Sequence, residues 1–168
     1  MPYVDSYIWK IRQKIGHDLL IIPSVDIVAV REDGKLLLVF NRDANAWVFP
    51  GGYAEEGTTS PECAARELLE ETGLEAAPDD LIPFAFVSGY VHRYSNGDVT
   101  QPFRQVFMVN RWRDAGGMDE DEISGRRWFS PEELAQINTR SDQSHILAAL
   151  RTYQTTGTYQ MITLRELG

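Results

Sequence analysis

Three glutamates, Glu67, Glu70 and Glu71, have the spacing that gathers carboxylates on one side of a helix. At about 100° per residue, their side chains fall within an arc of about 100°. The opposite side of the same segment is mostly apolar, which favours packing against the body of the protein. Carboxylates held this close repel one another unless a cation joins them, and an oxygen-only set suits Mg²⁺ or Mn²⁺. Because such ions are often bound together with phosphates, the pattern predicts metal-assisted chemistry on a phosphate-bearing substrate.

A solvated acidic helix face is the alternative interpretation of the pattern Glu-x-x-Glu-Glu. Two features of its setting favour a site instead. A glycine-marked loop, Pro50-Gly51-Gly52, lies directly upstream of the segment. We also expect none of the three glutamates to pair with a Lys or Arg of the same helix, which leaves their charge to an external cation.

The helix that carries the three acids is predicted from the signals at its ends. Thr59 fits the N-cap of a capping box, because Glu62 follows three residues later. Gly73 stands where the helix needs a residue that tolerates positive φ. About three turns of helix lie between these signals, so residues 51–74 form a predicted loop–helix–loop unit.

This unit resembles the Nudix box, Gly-x5-Glu-x7-Arg-Glu-U-x-Glu-Glu-x-Gly-U, in which U is a bulky aliphatic residue. Gly52 takes the first position. The positions after the second gap are matched by Arg66, Glu67, Leu68, Glu70, Glu71, Gly73 and Leu74. One position departs, because Thr58 stands where the pattern has its first Glu. The likeness extends from about residue 26 to residue 133, most of the chain.

The resemblance implies a fold and an activity. Nudix proteins are α+β, with an α/β/α sandwich built on a mixed β-sheet, and they hydrolyse nucleoside diphosphates linked to a further group. By this resemblance the chain is a pyrophosphohydrolase that uses Mg²⁺ or Mn²⁺ and acts on a small nucleotide or nucleotide derivative. Since Thr58 departs from the pattern, a catalytically weak or inactive nucleotide-binding or sensor domain is the alternative.

The resemblance also assigns roles to the residues of the box. Glu67, Glu70 and Glu71 become metal ligands, together with the carbonyl of Gly52, and Arg66 orients a carboxylate.

A general base is needed as well, and Glu67 is its first candidate. Nudix proteins often supply a further carboxylate from the region where this chain has Glu120 and Glu122, so these are the second candidates. Glu55 and Glu56 are close enough in sequence to replace the acid missing at position 58.

Two residues outside the box are assigned to substrate binding. Arg42 ends a predicted strand just ahead of the glycine loop, where a cation can meet a phosphate. A surface ion pair of Arg42 with Asp33 or Asp43 is the equal alternative. Tyr90 lies on a later strand that can face the cleft, and a tyrosine in this neighbourhood occurs in dinucleoside-polyphosphate enzymes of the family.

The remaining chain is expected to form one domain over residues 1–168, with an N-terminal accessory helix within residues 1–17. We expect Ser130 to cap a short helix with Pro131 in its first turn. Two β-hairpins and a last helix complete the layout: strands 19–30 and 36–40, strands 84–93 and 103–112, and a helix over residues 142–153.

Composition limits the partners and the compartment. The formal net charge of −9 argues against a nucleic-acid polymer as partner, because phosphate backbones need basic patches. Cys63 is the only cysteine, so an intramolecular disulfide is excluded. The sequence shows no apolar run long enough to cross a membrane, and the cytoplasm is the expected location. A homodimer is possible through the N-terminal helix.

Overall fold

The computed structural model of the protein describes residues 4–117 and 123–164. Four helices and eleven strands occur in these ranges. The helices are α1 (Tyr7–Ile15), α2 (Ser60–Thr72), α3 (Pro131–Leu134) and α4 (Gln143–Thr156). The strands are β1 (Leu20–Ala29), β2 (Leu36–Asn41), β3 (Ala46–Val48), β4 (Gly51–Tyr53), β5 (Leu74–Glu75), β6 (Ile82–Ser88), β7 (His92–Arg93), β8 (Val99–Val109), β9 (Arg113–Asp114), β10 (Ile123–Phe129) and β11 (Gln160–Thr163).

The largest sheet has the strand order β11-β6-β8-β1-β4, with β7 added to β8. Strands β1 and β8 run parallel over their length, as do β11 and β6, whereas the pairs β1–β4 and β6–β8 are antiparallel. A second, antiparallel sheet has the order β10-β2-β3, and β5 pairs with β9. The mixed sheet expected from the sequence is confirmed.

Apolar side chains alternate along the central strand β1 and divide the core in two. Val25 and Ile27 pack in the core that α2 covers, whereas Val28 packs in the core that α4 covers. Helix α2 contributes Cys63, Ala64 and Leu68, and helix α4 contributes Ile146, Ala149 and Leu150. The period of two in a strand thus places one helix on each face, which confirms the α/β/α sandwich.

The predicted hairpins are only partly correct. The turn after β1 forms, but β1 and β2 belong to different sheets and are joined there by the isolated bridge Val30–Leu36, so the first hairpin is wrong. The predicted strand 84–93 is broken at Gly89, whose φ of 90° lies outside the extended region. Its two parts, β6 and β7, both pair with β8.

The helices agree better with the sequence. Ser130 caps α3 with Pro131 in the first turn, and α4 extends the predicted helix at its C-terminal end. Within the described ranges, no helix combines the length and the apolar character needed to cross a membrane.

Candidate active site

Helix α2 carries the acidic residues, and its ends form as its sequence predicts. The Thr59 side chain accepts from the Glu62 N–H while the Glu62 carboxylate accepts from the Thr59 N–H, which completes the capping box. Gly73 ends the helix in the left-handed conformation, with φ 69°. Leu68 is fully buried beneath the helix. These signals fix where the helix lies and therefore which way its carboxylates project.

The glycine turn meets two of the three acids. Gly51 N–H donates to Glu71 Oε2 at 2.9 Å. A Cβ placed on Gly52 would lie only 2.6 Å from Cδ and from Oε2 of Glu67, so this carboxylate packs directly on the glycine backbone. The absence of a side chain at position 52 is therefore required for Glu67 to lie where it does.

Arg66 bridges the acids instead of standing apart from them. Its Nη2 donates to Glu67 Oε1 at 2.8 Å, and its Nη1 lies 3.8 Å from Glu70 Oε2. The expectation that no cation of the helix pairs with these glutamates is therefore wrong, because Glu70 is one helical turn beyond Arg66 and Glu67 is its neighbour. Burial lowers the pKa of Arg66, but Glu67, Cys63 and Glu70 together outweigh it and the pKa is raised.

The donor set fits a hard divalent cation by its chemistry. Glu67, Glu70, Glu71 and the Gly52 carbonyl offer only oxygen atoms, as Mg²⁺ and Mn²⁺ prefer. The close approach of Gly52 to Glu67 places a carbonyl-bearing residue beside a carboxylate. Among the described residues, no three His, Cys, Asp or Glu side chains are already gathered closely enough to hold an ion.

The position where the box pattern has its first Glu is exposed. Thr58 Oγ1 donates to the Glu55 carbonyl at 2.8 Å, and so closes the turn before α2. Glu55 Oε2 accepts from Tyr7 N–H of α1 at 2.8 Å. Glu56 is exposed. The Glu55 carboxylate, one of the two offered in place of the missing acid, is thus bound to the N-terminal helix.

Of three other predicted residues, two fall outside the described ranges and one lies in an exposed turn. Glu120 and Glu122 fall in the segment 118–122, outside the described residues. Arg42 is exposed in the turn after β2. The Asp33 carboxylate, one of the two partners considered for Arg42, accepts from Arg31 Nε and Nη2 at 2.8 and 2.6 Å.

A buried ionic cluster on the α4 side of the sheet was not predicted. Arg104 Nη1 donates to Asp26 Oδ2 at 2.6 Å, and its Nη2 donates to Asp142 Oδ2. Arg140 completes the cluster, with Nε 2.7 Å from Asp142 Oδ1 and Nη2 3.3 Å from Asp26 Oδ2. Burial would raise the pKa of Asp142, but the guanidinium groups of Arg140 and Arg104 outweigh it and hold this pKa below its ordinary value.

This cluster, formed by Asp26, Arg104, Arg140 and Asp142, adjoins the glycine turn. Asp26 is the register partner of Gly51 across the β1–β4 pair. Tyr90 joins the cluster, because the Arg104 guanidinium lies 5.1 Å from its ring centroid, and burial raises the pKa of Tyr90. One signal was visible in the sequence: an aspartate inside the apolar strand β1 needs a buried partner.

Curated relatives resemble most of the described chain. A MutT-like protein of Streptomyces ambofaciens is 32% identical over 115 residues, which are 67% of this chain and 66% of the relative. A putative 8-oxo-dGTP diphosphatase of Bacillus subtilis is 30% identical over 108 residues, 64% of this chain and 66% of that protein. The chain thus spans slightly less than two thirds of these two relatives. It covers 88% of the phosphatase NudJ of Escherichia coli, at 32% identity over 145 residues.

Solved structures agree on the fold. A NUDIX hydrolase of Nitrosomonas europaea matches with a TM-score of 0.58 and 24% identity, over 83% of this chain and 93% of that one. The MutT protein of Bacillus halodurans matches with a TM-score of 0.60 and 22% identity, over 76% and 80%. A family model described as NUDIX domain matches residues 21–150, which include the glycine turn, the acidic helix and the buried ionic cluster. The chain belongs to the NUDIX domain family.

Proposed function

We propose that this protein is a divalent-metal-dependent pyrophosphohydrolase that cleaves a phosphoanhydride bond in a nucleoside diphosphate linked to another group. The observation that carries this proposal is the contact of the glycine turn with the acidic helix. Gly51 donates to Glu71, and Gly52 packs against the Glu67 carboxylate. A backbone turn in contact with carboxylates of one helix is an arrangement that can bind a metal-bound diphosphate.

The metal would be held by Glu67, Glu70 and Glu71, with the carbonyl of Gly52. Such an ion, when bound, neutralises diphosphate charge and lowers the pKa of a coordinated water. Mg²⁺ or Mn²⁺ is expected, because all of these donors are oxygen atoms.

The chain's own side chains would orient the reactants and move the proton. Arg66, 2.8 Å from Glu67, fixes the direction of that carboxylate. Glu67 is the first candidate for the general base, and Glu120 or Glu122 is the second. Arg42, exposed in the turn before the glycine loop, would contact the phosphates.

The substrate would be a small nucleotide derivative. Two relatives are named an 8-oxo-dGTP diphosphatase and a phosphatase, which supports a phosphate ester or anhydride of this kind. Tyr90 lies over Arg104 beside Asp26, the register partner of Gly51. We therefore expect the part of the nucleotide beyond the diphosphate on the Tyr90 side of the turn. No nucleic-acid polymer is expected as partner, given the net charge of −9.

Release of the cleavage products from a panel of nucleotides, separated and measured by chromatography, tests the proposal. The panel holds nucleoside triphosphates, nucleotide sugars, ADP-ribose and dinucleoside polyphosphates, each with Mg²⁺, with Mn²⁺ and with chelator. Metal-dependent release is expected, and Glu70→Gln and Glu71→Gln should each reduce it by about 10²-fold or more while the fold persists. Full turnover in either variant would refute the metal assignment.

A second function is favoured by Thr58, which replaces an acid of the box pattern. A nucleotide-binding or sensor domain would give no release with any member of the panel. It would instead be stabilised against heat by one of the same nucleotides, since a ligand that binds the folded state raises the unfolding temperature.

Three further expectations stay predictions: a single domain over residues 1–168, a cytoplasmic location and a homodimer.

A further inference from the structure

The N-terminal helix α1 lies outside the matched range 21–150, yet it contacts the loop that leads into α2. Ser6 caps α1, with its Oγ accepting from Trp9 N–H at 3.2 Å. The next backbone N–H, that of Tyr7, donates to Glu55 Oε2 at 2.8 Å. Glu55 stands three residues after Gly52. A carboxylate on the positive end of a helix makes a charge-assisted contact, so this bond fastens the loop to α1.

The other end of α1 is fixed by a buried arginine. The Arg12 side chain is 5% exposed, with Nε 3.5 Å from Asp98 Oδ1. Its Nη2 donates to the Val99 carbonyl at 2.8 Å, and its Nη1 donates to the Gly16 carbonyl at 3.0 Å. His17, which follows the helix, contacts the same Asp98 oxygen at 2.8 Å. Helix α1 therefore connects the loop before α2 with the start of β8.

These two regions are also joined directly, which closes a ring of contacts. The hydroxyl groups of Tyr53 and Tyr94 are 2.5 Å apart, and Tyr53 Oη is 3.2 Å from Thr100 Oγ1. Tyr53 is the last residue of β4, directly after the glycine turn. The ring runs from α1 through the loop to β4, across to β8, and back through Arg12.

Position 55 is held in two ways at once. Its carboxylate binds α1, and its carbonyl accepts from Thr58 Oγ1 at 2.8 Å and from Thr58 N–H at 3.3 Å. Because the Glu55 carboxylate accepts from the Tyr7 N–H, it points toward the N-terminus of α1. Thr58 acts on the same turn by closing its backbone.

We propose that Glu55 is a positioning residue, and that α1, anchored by Arg12, uses it to hold the glycine turn against the acids of α2. Glu55 then acts through the loop and binds no metal. The catalytic consequence rests on the proposed function, whereas the ordering of the loop does not.

Amide hydrogen exchange of residues 53–59 tests the ordering without any activity. Glu55→Ala and Arg12→Gln are each expected to raise exchange in this loop by about tenfold or more, because a charge-assisted bond is lost at one end of α1. Glu55→Gln keeps an oxygen acceptor for the Tyr7 N–H but loses the charge, so its exchange rate should lie between those of the wild type and Glu55→Ala. Lys14→Gln, an exposed cation of the same helix, is the matched control for Arg12→Gln. Unchanged exchange in β6 and in residues 104–109 of β8, away from the Arg12 contact with Val99, shows that a variant is folded.

A magnesium titration of turnover separates positioning from ligation. If Glu55 is a positioning residue, Glu55→Ala and Arg12→Gln both lower kcat/KM and leave the half-saturating Mg²⁺ concentration within about twofold. The proposal is overturned if Glu55→Ala raises that concentration about tenfold or more while loop exchange stays at the wild-type rate. It is also overturned if Arg12→Gln leaves the loop exchange unchanged. Should the protein hydrolyse nothing, the proposed function fails and the exchange measurement still decides the role of α1.

Discussion

An alanine at position 52 would test how closely the glycine turn and the acidic helix must fit. The added Cβ would lie 2.6 Å from Cδ and Oε2 of Glu67, whereas ordinary contact begins at 3.4 Å. The carboxylate would have to retreat by the difference, about 0.8 Å. Glu67 is the side chain that yields, because its carboxylate is the flexible end of the contact.

The expected effect falls on rate more than on stability. A misplacement of about 1 Å in a catalytic group lowers the rate by about 10²-fold, so Gly52→Ala should reduce kcat/KM by about that factor. Overpacking costs about 1–3 kcal/mol, and the lower end is expected because the colliding atoms are the far end of the Glu67 side chain and not backbone.

The assay is the metal-dependent release of the cleavage products, measured by chromatography, with urea unfolding measured on the same samples. Gly125→Ala is the matched control, because a Cβ at Gly125 meets nothing within 4 Å. In a Glu67→Ala background, the stability cost of Gly52→Ala should disappear, since the group it collides with is gone. Wild-type kcat/KM in Gly52→Ala would refute the argument, because it would mean that the place of Glu67 beside the turn is irrelevant to turnover.

Three further substitutions probe the surroundings of the turn. Gly51→Ala should lower the free energy of unfolding by about 3 kcal/mol or more, because its Cβ would lie 2.2 Å from the Val25 carbonyl, which cannot rotate away; urea unfolding equal to wild type would contradict this. Asp142→Asn should cost about 3–5 kcal/mol in the same measurement, because it leaves Arg104 buried with one carboxylate fewer, and a cost under about 1 kcal/mol would show that the cluster is dispensable. Burial lowers the pKa of His92 from 6.5, so the unfolded chain takes up a proton that the folded chain does not; stability should fall as pH drops through 6.5, and thermal unfolding of His92→Gln should lack this component.

Local signals predicted helix α2 because each of them acts within a few residues. Thr59, Glu62 and Gly73 satisfy the first and last backbone groups of the helix through neighbours in sequence, so spacing alone identifies them. The same reasoning gave the Ser130 cap of α3. Arg66, to which the resemblance gives the role of orienting a carboxylate, also stands one helical turn before Glu70, and this spacing alone indicates the pair.

Sheet membership could not be predicted in the same way. Short apolar runs rich in β-branched or aliphatic residues indicate that β1 and β2 are strands, and the intervening turn indicates that the chain reverses. Neither signal states how far the two strands continue side by side. In the structure, the pairing of β1 with β2 ends at the Val30–Leu36 bridge. Strand β2 pairs instead with β3, which follows it, and with β10, which lies about 90 residues further along the chain.

The long-range polar contacts were hidden for a related reason. Asp26 and Arg104 are 78 residues apart in sequence, and Tyr7 and Glu55 are 48 apart. A charged residue in an apolar strand indicates that it has a buried partner, but the sequence does not show which residue that partner is. The fold has to be known before the cluster, or the attachment of α1 to the loop, can be identified.

Glu71 contacts the glycine turn, whereas Glu67 and Glu70 contact Arg66, and this decides what a substitution at each position can report. Glu71 is 6% exposed and accepts from Gly51 N–H, whereas the Glu70 side chain is 27% exposed and faces Arg66 at 3.8 Å. A glutamine at position 71 keeps an oxygen for the Gly51 N–H and removes only the charge, so the turn should keep its shape. Alanine there would leave that N–H without its acceptor and combine a structural loss with a chemical one. Loss of turnover in a glutamine variant can therefore be attributed to the lost negative charge. That charge is what a carboxylate ligand supplies to a metal ion.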